Sequence, residues 1–241
     1  MTRTNHLGQP IGDALPAGWT PPPRPVPVTL EGRFAQIVPL QAGLHGEQLF
    51  EAFRKDTDGA GWTYMANGPY DRLDDFMQWL TAAEASTDPM FFAYIDQSTG
   101  RAAGYGSFLR IEAAMGCIEA GNIRMSPAMQ RTPVSTEAMH LKMAYAFGLG
   151  YRRYEWKCDA LNAPSRRAAG RLGFTFEGIF RKALHYKGRS RDTAWFSITD
   201  DEWPAVCKAH QAWLHPGNFD AEGRQKQPLA SFLAPGQPGS P

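Results

Sequence analysis

Three stretches of this 241-residue chain combine residue types and spacing that suit chemistry. The first is Glu119, the single carboxylate in an apolar-alternating run at 116–125. Partial burial among Gly, Ala, Ile and Cys raises the pKa of a carboxyl towards the working range of a general base. The same pattern also fits a half-exposed glutamate, or a salt-bridge partner for Arg124. The second stretch is 130–138, Gln-Arg-Thr-Pro-Val-Ser-Thr-Glu-Ala, lying between that run and a helical pattern ending near Tyr151. A helix start leaves backbone N–H groups without intrachain partners and carries partial positive charge, so it can bind phosphate. Thr132 reads as a cap and Pro133 as a first helical residue, with Ser135 and Thr136 as further hydroxyl donors. A plain Ser/Thr cap is the simpler reading. The third stretch is 159–167, Asp-Ala-Leu-Asn-Ala-Pro-Ser-Arg-Arg. Asn162 has an amide that both donates and accepts, and it serves equally as a helix N-cap. Ser165 is either a hydroxyl proton donor or a surface serine in the first helical turn. Cys158 has no supporting His nearby and reads as inert packing.

Periodicity outlines the elements that must position these residues. A first strand lies within 28–40 and a helix at 43–54 buries Leu49, Phe50 and Phe53. An Asp/Gly loop at 56–61 leads to Trp62, Tyr64 and Tyr70. A second helix starts near Asp71, with Asp71 and Asp74 in its first turn. Strands are expected at 90–95, 102–111 and 116–125, and in the last of these Glu119, Gly121, Ile123 and Met125 share one face by the period of two. The helix after the 130–138 loop packs through Met139, Met143, Ala146 and Phe147. Strands at 154–158, 174–180 and 193–198 follow, with a helix at 163–172, and Asp200 caps a last helix. The Pro-rich segment 1–27 reads as an extended arm, 28–215 as the domain, and the Gly/Pro/Gln-rich 216–241 as a tail. Hairpins followed by alternating strands and helices give an α/β fold with a mixed sheet.

Composition narrows the classes. Hydrophobic residues at 43% are enough for a full core, and a formal charge of +1 gives no global push towards nucleic acid or an anionic membrane. Between 152 and 191, however, eleven Lys/Arg stand against three Asp/Glu, which suits an anionic ligand. Three widely spaced cysteines argue against a disulfide framework or a metal site and fit a reducing compartment. Residues 1–27 lack a signal-peptide core and no run is long enough to span a bilayer, so a cytoplasmic protein is expected.

In order and spacing, 28–203 resembles the GNAT superfamily of acetyl-CoA-dependent N-acetyltransferases, and within it the RimJ/RimL-like branch. Five stretches carry the resemblance: Ile118-Glu119-Ala120-Gly121, the loop 130–136, Thr136-Glu137-Ala138, the segment 159–167, and Arg171-Leu172-Gly173-Phe174 followed by Glu177-Gly178. It implies a mostly antiparallel twisted sheet, split at the cofactor site and flanked by helices. It implies acetyl-CoA as acetyl donor, and a small amine or a protein N-terminus as acceptor. By the same resemblance Gln130, Arg131, Thr132, Val134, Ser135 and Thr136 hold the pyrophosphate, and Asn162 the pantetheine. Arg166 and Arg167 face the adenosine end, and a strand N–H near Met125 polarises the thioester. Glu119 is then the base and Ser165 the proton donor to the leaving thiolate. Trp62, Tyr64 and Tyr70 wall the acceptor pocket, although loop aromatics equally plug the edge of a core. The resemblance leaves a homodimer open. Two departures stand out: Pro133 and Ser135 occupy positions usually held by Gly in the loop, and the family's common acid tyrosine is missing near Ser165. A catalytically silent binding module and an RNA- or ribosome-associated protein are the alternatives.

Overall fold

The computed structural model describes residues 3–233; Met1, Thr2 and 234–241, the outer ends of the expected arm and tail, lie outside the described residues. In the arm, β1 (Arg3–Thr4) and β2 (Pro10–Ile11) form a small hairpin. The domain begins with β3 (Leu30–Glu31) and β4 (Ala35–Pro39), then α1 (Ala42–Phe53) and α2 (Leu73–Glu84). Next come β5 (Met90–Asp96), β6 (Arg101–Glu112) and β7 (Cys117–Met125), joined as antiparallel hairpins. Helix α3 (Pro133–Gly148) crosses over to β8 (Arg153–Asp159), which lies parallel to β7. Helix α4 (Ala163–Arg171), the hairpin of β9 (Thr175–Tyr186) and β10 (Arg189–Thr199), and α5 (Trp203–Leu214) complete it. The eight domain strands form one sheet in the order β3-β4-β5-β6-β7-β8-β10-β9.

The single parallel pair is where the sheet opens. Pairing runs from Cys117 opposite Arg153 to Ala120 opposite Trp156 and then stops, although β7 continues to Met125 and β8 to Asp159. A bulge on β7 redirects it there. Tyr105 faces Arg124 and Ser107 faces Gly121, so β7 carries one extra residue, and Asn122 takes a φ of 52°. The expected sharing of one face by Glu119, Gly121, Ile123 and Met125 therefore fails. Before the bulge Ile118 and Ala120 face the core under α3; after it Ile123 and Met125 do. Glu119, Gly121 and Arg124 instead share the face of Tyr105, beneath α1 and α2.

Other expectations shift at element ends. Asp71 lies before α2 rather than in its first turn: Arg72 is the N-cap residue, and Asp74 with Asp75 provide the first-turn charge. Asp200 does not cap α5; it lies 3.6 Å from Arg152, and Glu202 is the N-cap residue. The arm packs on the domain, with Pro22 and Pro25 buried. The segment following α5 folds back, burying Asn218 and Leu229. Among the described residues no helix is long and apolar enough to cross a membrane.

Candidate active site

Glu119 sits on the open face one residue before β7 and β8 part, and it is 3% exposed. Arg110 Nη1 lies 2.5 Å and Lys157 Nζ 3.0 Å from Glu119, both on the same oxygen, Oε2. The other oxygen, Oε1, is turned towards Gly121: a side chain at 121 would come within 3.4 Å of it. Lys157 also reaches Glu155 at 2.7 Å and lies 3.7 Å above the Trp195 ring. Burial pushes the Glu119 carboxyl up, against the pull of Lys157 and Arg110. The result is a carboxylate with one anchored oxygen and one free oxygen at the mouth of the opening. Arg124 is not its partner: that guanidinium pairs with Asp56 at 2.6 Å and lies over Trp62 and Phe53.

On the far side of the sheet the N-terminus of α3 points at the same opening. Thr132 occupies the N-cap position but makes no side-chain cap; its hydroxyl donates to the Met129 carbonyl at 2.6 Å. Ser135 donates to the Thr132 carbonyl at 2.8 Å, and the buried Thr136 hydroxyl accepts from Arg171 at 3.0 Å. The Thr132 and Ser135 hydroxyls thus donate within the protein, while Thr136 accepts and keeps its own O–H to donate. What remains for an anion is the uncapped run of backbone N–H groups after Pro133, which itself has none. Arg131 is exposed with a φ of 60°, and Gln130 holds the Met125 carbonyl at 3.0 Å. That uncapped terminus, beside a sheet whose strands part, suits an anionic group such as a phosphate.

The turn after β8 forms the other lip. Asn162 Oδ1 accepts the Ser165 N–H at 3.1 Å, so it is an N-cap, and its Nδ2 stays available. The Ser165 hydroxyl is half-buried and accepts the Trp156 indole N–H at 3.0 Å. Arg166 reaches the Ala160 carbonyl at 3.3 Å, while Arg167 is exposed. Cys158 is a free, buried thiol, as packing requires.

Residues 37–175, more than half of the chain, match the acetyltransferase (GNAT) domain. The chain belongs to the GNAT acetyltransferase family. A GCN5-related N-acetyltransferase from Brucella melitensis is 49% identical, covering 89% of this chain and 98% of its own, with a TM-score of 0.87. A probable GNAT-family acetyltransferase from Chromobacterium violaceum ATCC 12472 is 38% identical, over 82% of this chain and all of its own, with a TM-score of 0.75. The microcin C7 self-immunity acetyltransferase MccE, solved with acetyl-CoA and AMP, shares the fold at 20% identity and a TM-score of 0.61, over 70% of this chain and 93% of its own. No curated protein matches the sequence.

GNAT acetyltransferases use acetyl-CoA. Of the aromatic residues expected near the acceptor, Trp62 is 5% exposed and packs edge-on against Phe53 and Tyr70. With Tyr70 it lines a cavity of about 400 Å³ between α1 and α2. Tyr64 is tied to the β8 turn, its hydroxyl donating to the Leu161 carbonyl at 3.0 Å. In the basic stretch 152–191, Arg152 pairs with Asp200, Arg153 with Glu155 and Glu177, and Lys157 with Glu119 and Glu155, while Arg167, Arg181, Lys182, Lys187 and Arg189 are exposed. Sequence reasoning missed Lys157, Arg110 and the Asp56–Arg124 pair. The alternation Arg153, Glu155, Lys157 on one strand face was the available signal for the first; the others depend on distant contacts.

Proposed function

We propose that the protein transfers an acetyl group from acetyl-CoA to a primary amine by direct attack within a ternary complex. The observation that carries this reading is the Glu119 carboxylate, buried at the point where β7 and β8 part, with Oε2 anchored and Oε1 free. Acetyl-CoA, when bound, supplies an activated acetyl group. The backbone N–H groups of Val134, Ser135 and Thr136 would hold its diphosphate, Arg131 and Arg167 its remaining anionic groups, and Asn162 Nδ2 the amide-bearing arm. Glu119 Oε1 takes the proton of the incoming ammonium, directly or through one water, so that a neutral amine attacks. Lys157 and Arg110 fix the carboxylate against rotation. The Met125 N–H is offered to the oxygen that gains negative charge. The Ser165 hydroxyl, itself polarised by the Trp156 indole, would give a proton to the departing thiolate. The RimJ/RimL resemblance supports a protein N-terminus or a small amine as acceptor. Three free cysteines suit a reducing compartment, which supports a cytoplasmic site of action.

Glu119→Gln tests the assignment. Turnover should fall on the order of a hundredfold, with partial recovery at higher pH and an unchanged acetyl-CoA Kd. A variant with wild-type turnover on an accepted amine would remove Glu119 from the reaction.

A further inference from the structure

Ser107, fully buried on β6, is the point from which the β7 bulge is held. Its hydroxyl accepts from the Asn122 amide at 2.9 Å and donates to the Gly121 carbonyl at 3.2 Å, so it grips the two residues at which β7 leaves its register. Its carbonyl accepts from Lys142 Nζ at 2.8 Å, reached from α3. Lys142 is fully buried too, and its other polar neighbour is the Tyr94 hydroxyl at 3.4 Å. An amine end buried this deeply is costly to desolvate, and a carbonyl with a phenol offsets that less than a carboxylate would. Charged or neutral, Nζ keeps an N–H for the Ser107 carbonyl. There is no slack around the seat: a side chain at Gly106 would run into the Tyr94 hydroxyl and come within 3.3 Å of Ile123. Beyond the bulge β7 is held a second time, where the Met125 carbonyl accepts from Arg124 Nη1 at 2.9 Å and Gln130 Nε2 at 3.0 Å.

A bulge re-aims the strand that follows it. Glu119 stands just before this one and the Met125 N–H just after it. The step between proton acceptor and oxyanion donor is therefore set at Ser107, and Ser107 is held in turn by a lysine from under the sheet. We infer that Lys142 is a positioning residue for acetyl transfer: through the Ser107 peptide it fixes the β7 bulge, and with it the spacing of Glu119 and the Met125 N–H. This rests on the acetyltransferase reading and adds to it a residue that acts only through other groups. With an apolar end in place of the amine, the buried Ser107 carbonyl loses its donor. The peptide is then free to turn, and its hydroxyl no longer holds Asn122 and Gly121 in one arrangement. A reacting geometry tolerates little of this, since a misplacement of about 1 Å can cost on the order of a hundredfold in rate.

The test compares the full-length wild type with Lys142→Met and with Ser107→Ala, which keeps the lysine and removes the hydroxyl. Hydrogen exchange, read residue by residue without ligand, should show protection of the 121–124 amides falling on the order of tenfold in both variants, while β10 stays unchanged. Thiol release from acetyl-CoA is then followed over a panel of primary amines. On an accepted amine, kcat should fall on the order of tenfold in each variant, with the acetyl-CoA Kd within about threefold of wild type. The K142M/S107A double variant should fall no further than the weaker single, because both act on one peptide. Methionine removes a buried amine, so a lower kcat without a lower melting temperature separates positioning from stability. Wild-type exchange at 121–124 in Lys142→Met, or wild-type kcat in that variant, overturns the inference, and so do losses that multiply in the double variant. Should Lys142→Met not fold, Ser107→Ala decides by the same two readings. Failure of the wild type to release thiol with any amine counts instead against the acetyltransferase reading, and the exchange measurement still decides whether Lys142 holds the bulge.

Discussion

Lys142 is fully buried on the sheet side of α3, with Nζ donating to the Ser107 carbonyl at 2.8 Å and lying 4.6 Å from the Phe108 ring centre. Burial alone brings its pKa down from 10.5 to about 7. The folded value lies below the unfolded one, so the unfolded chain takes up a proton first as pH falls from 10.5. Folding stability should therefore rise between pH 7 and pH 10, by roughly 1 kcal/mol per pH unit from this residue, and the penalty is complete below about pH 7. Lys142→Met should remove that slope, measured by urea unfolding at pH 7, 8 and 9. Equal slopes in variant and wild type would mean that Lys142 keeps its charge in the fold. The residue also shows where sequence reading stops. Met139, Met143 and Ala146 were legible as a core face, and Lys142 lies beside them, but nothing local says that a lysine points inward. The same holds for Arg110: only the fold brings it to Glu119. Glu119 itself was legible because a lone carboxylate stood out in an apolar strand.

At the scale of elements, α3 is held at its start by a carboxylate rather than by a cap. Glu137 accepts the backbone N–H groups of Arg33, Phe34 and Ala35 at 3.0, 2.5 and 2.7 Å, tying the N-terminal end of α3 to the turn before β4. That turn passes so close that Gly32 has no room for a side chain against the Glu137 carboxylate. Glu137→Ala leaves three donors without their acceptor and should destabilise the fold by about 2–4 kcal/mol. The melting temperature should drop roughly 2–4 °C per kcal/mol. Glu137→Gln keeps one acceptor oxygen and should lose less. A melting temperature within about 1 °C of wild type for the alanine variant would show the contact to be dispensable. The hairpins and helices themselves were readable, because periods of two and 3.6 are local signals. The β7 bulge was not. It is fixed from outside the strand: the Asn122 amide donates to the Ser107 hydroxyl at 2.9 Å, and that hydroxyl donates to the Gly121 carbonyl at 3.2 Å.

At the scale of the whole molecule, the arm closes the end of the sheet opposite the cleft. Arg24 donates to the Ile111 carbonyl at 3.1 Å and lies 3.5 Å from Asp88, whose two oxygens also take the N–H groups of Arg110 and Ile111. The Val26 N–H donates to the Tyr145 hydroxyl at 3.1 Å. Trp19 lies over Arg152, where β8 begins, and a side chain at Gly116, just before β7, would touch its ring at 3.2 Å. These contacts gather at the paired ends of β7 and β8; the parted ends lie at the far end of the same strands. A sheet that opens at one end needs its other end fixed, or the two strands would slide and blur the cleft. Deleting 1–27 exposes the seats of Pro22, Pro25 and Trp19 and removes the Arg24 contacts. It should reduce stability by roughly 2–4 kcal/mol. Because the described part of the arm makes no hydrogen bond or ion pair with a residue proposed to hold the cofactor, the acetyl-CoA Kd should stay within about twofold below the lowered melting temperature. A matched loss of affinity and stability, read by titration calorimetry beside thermal melts, would show instead that the paired end sets the width of the cleft.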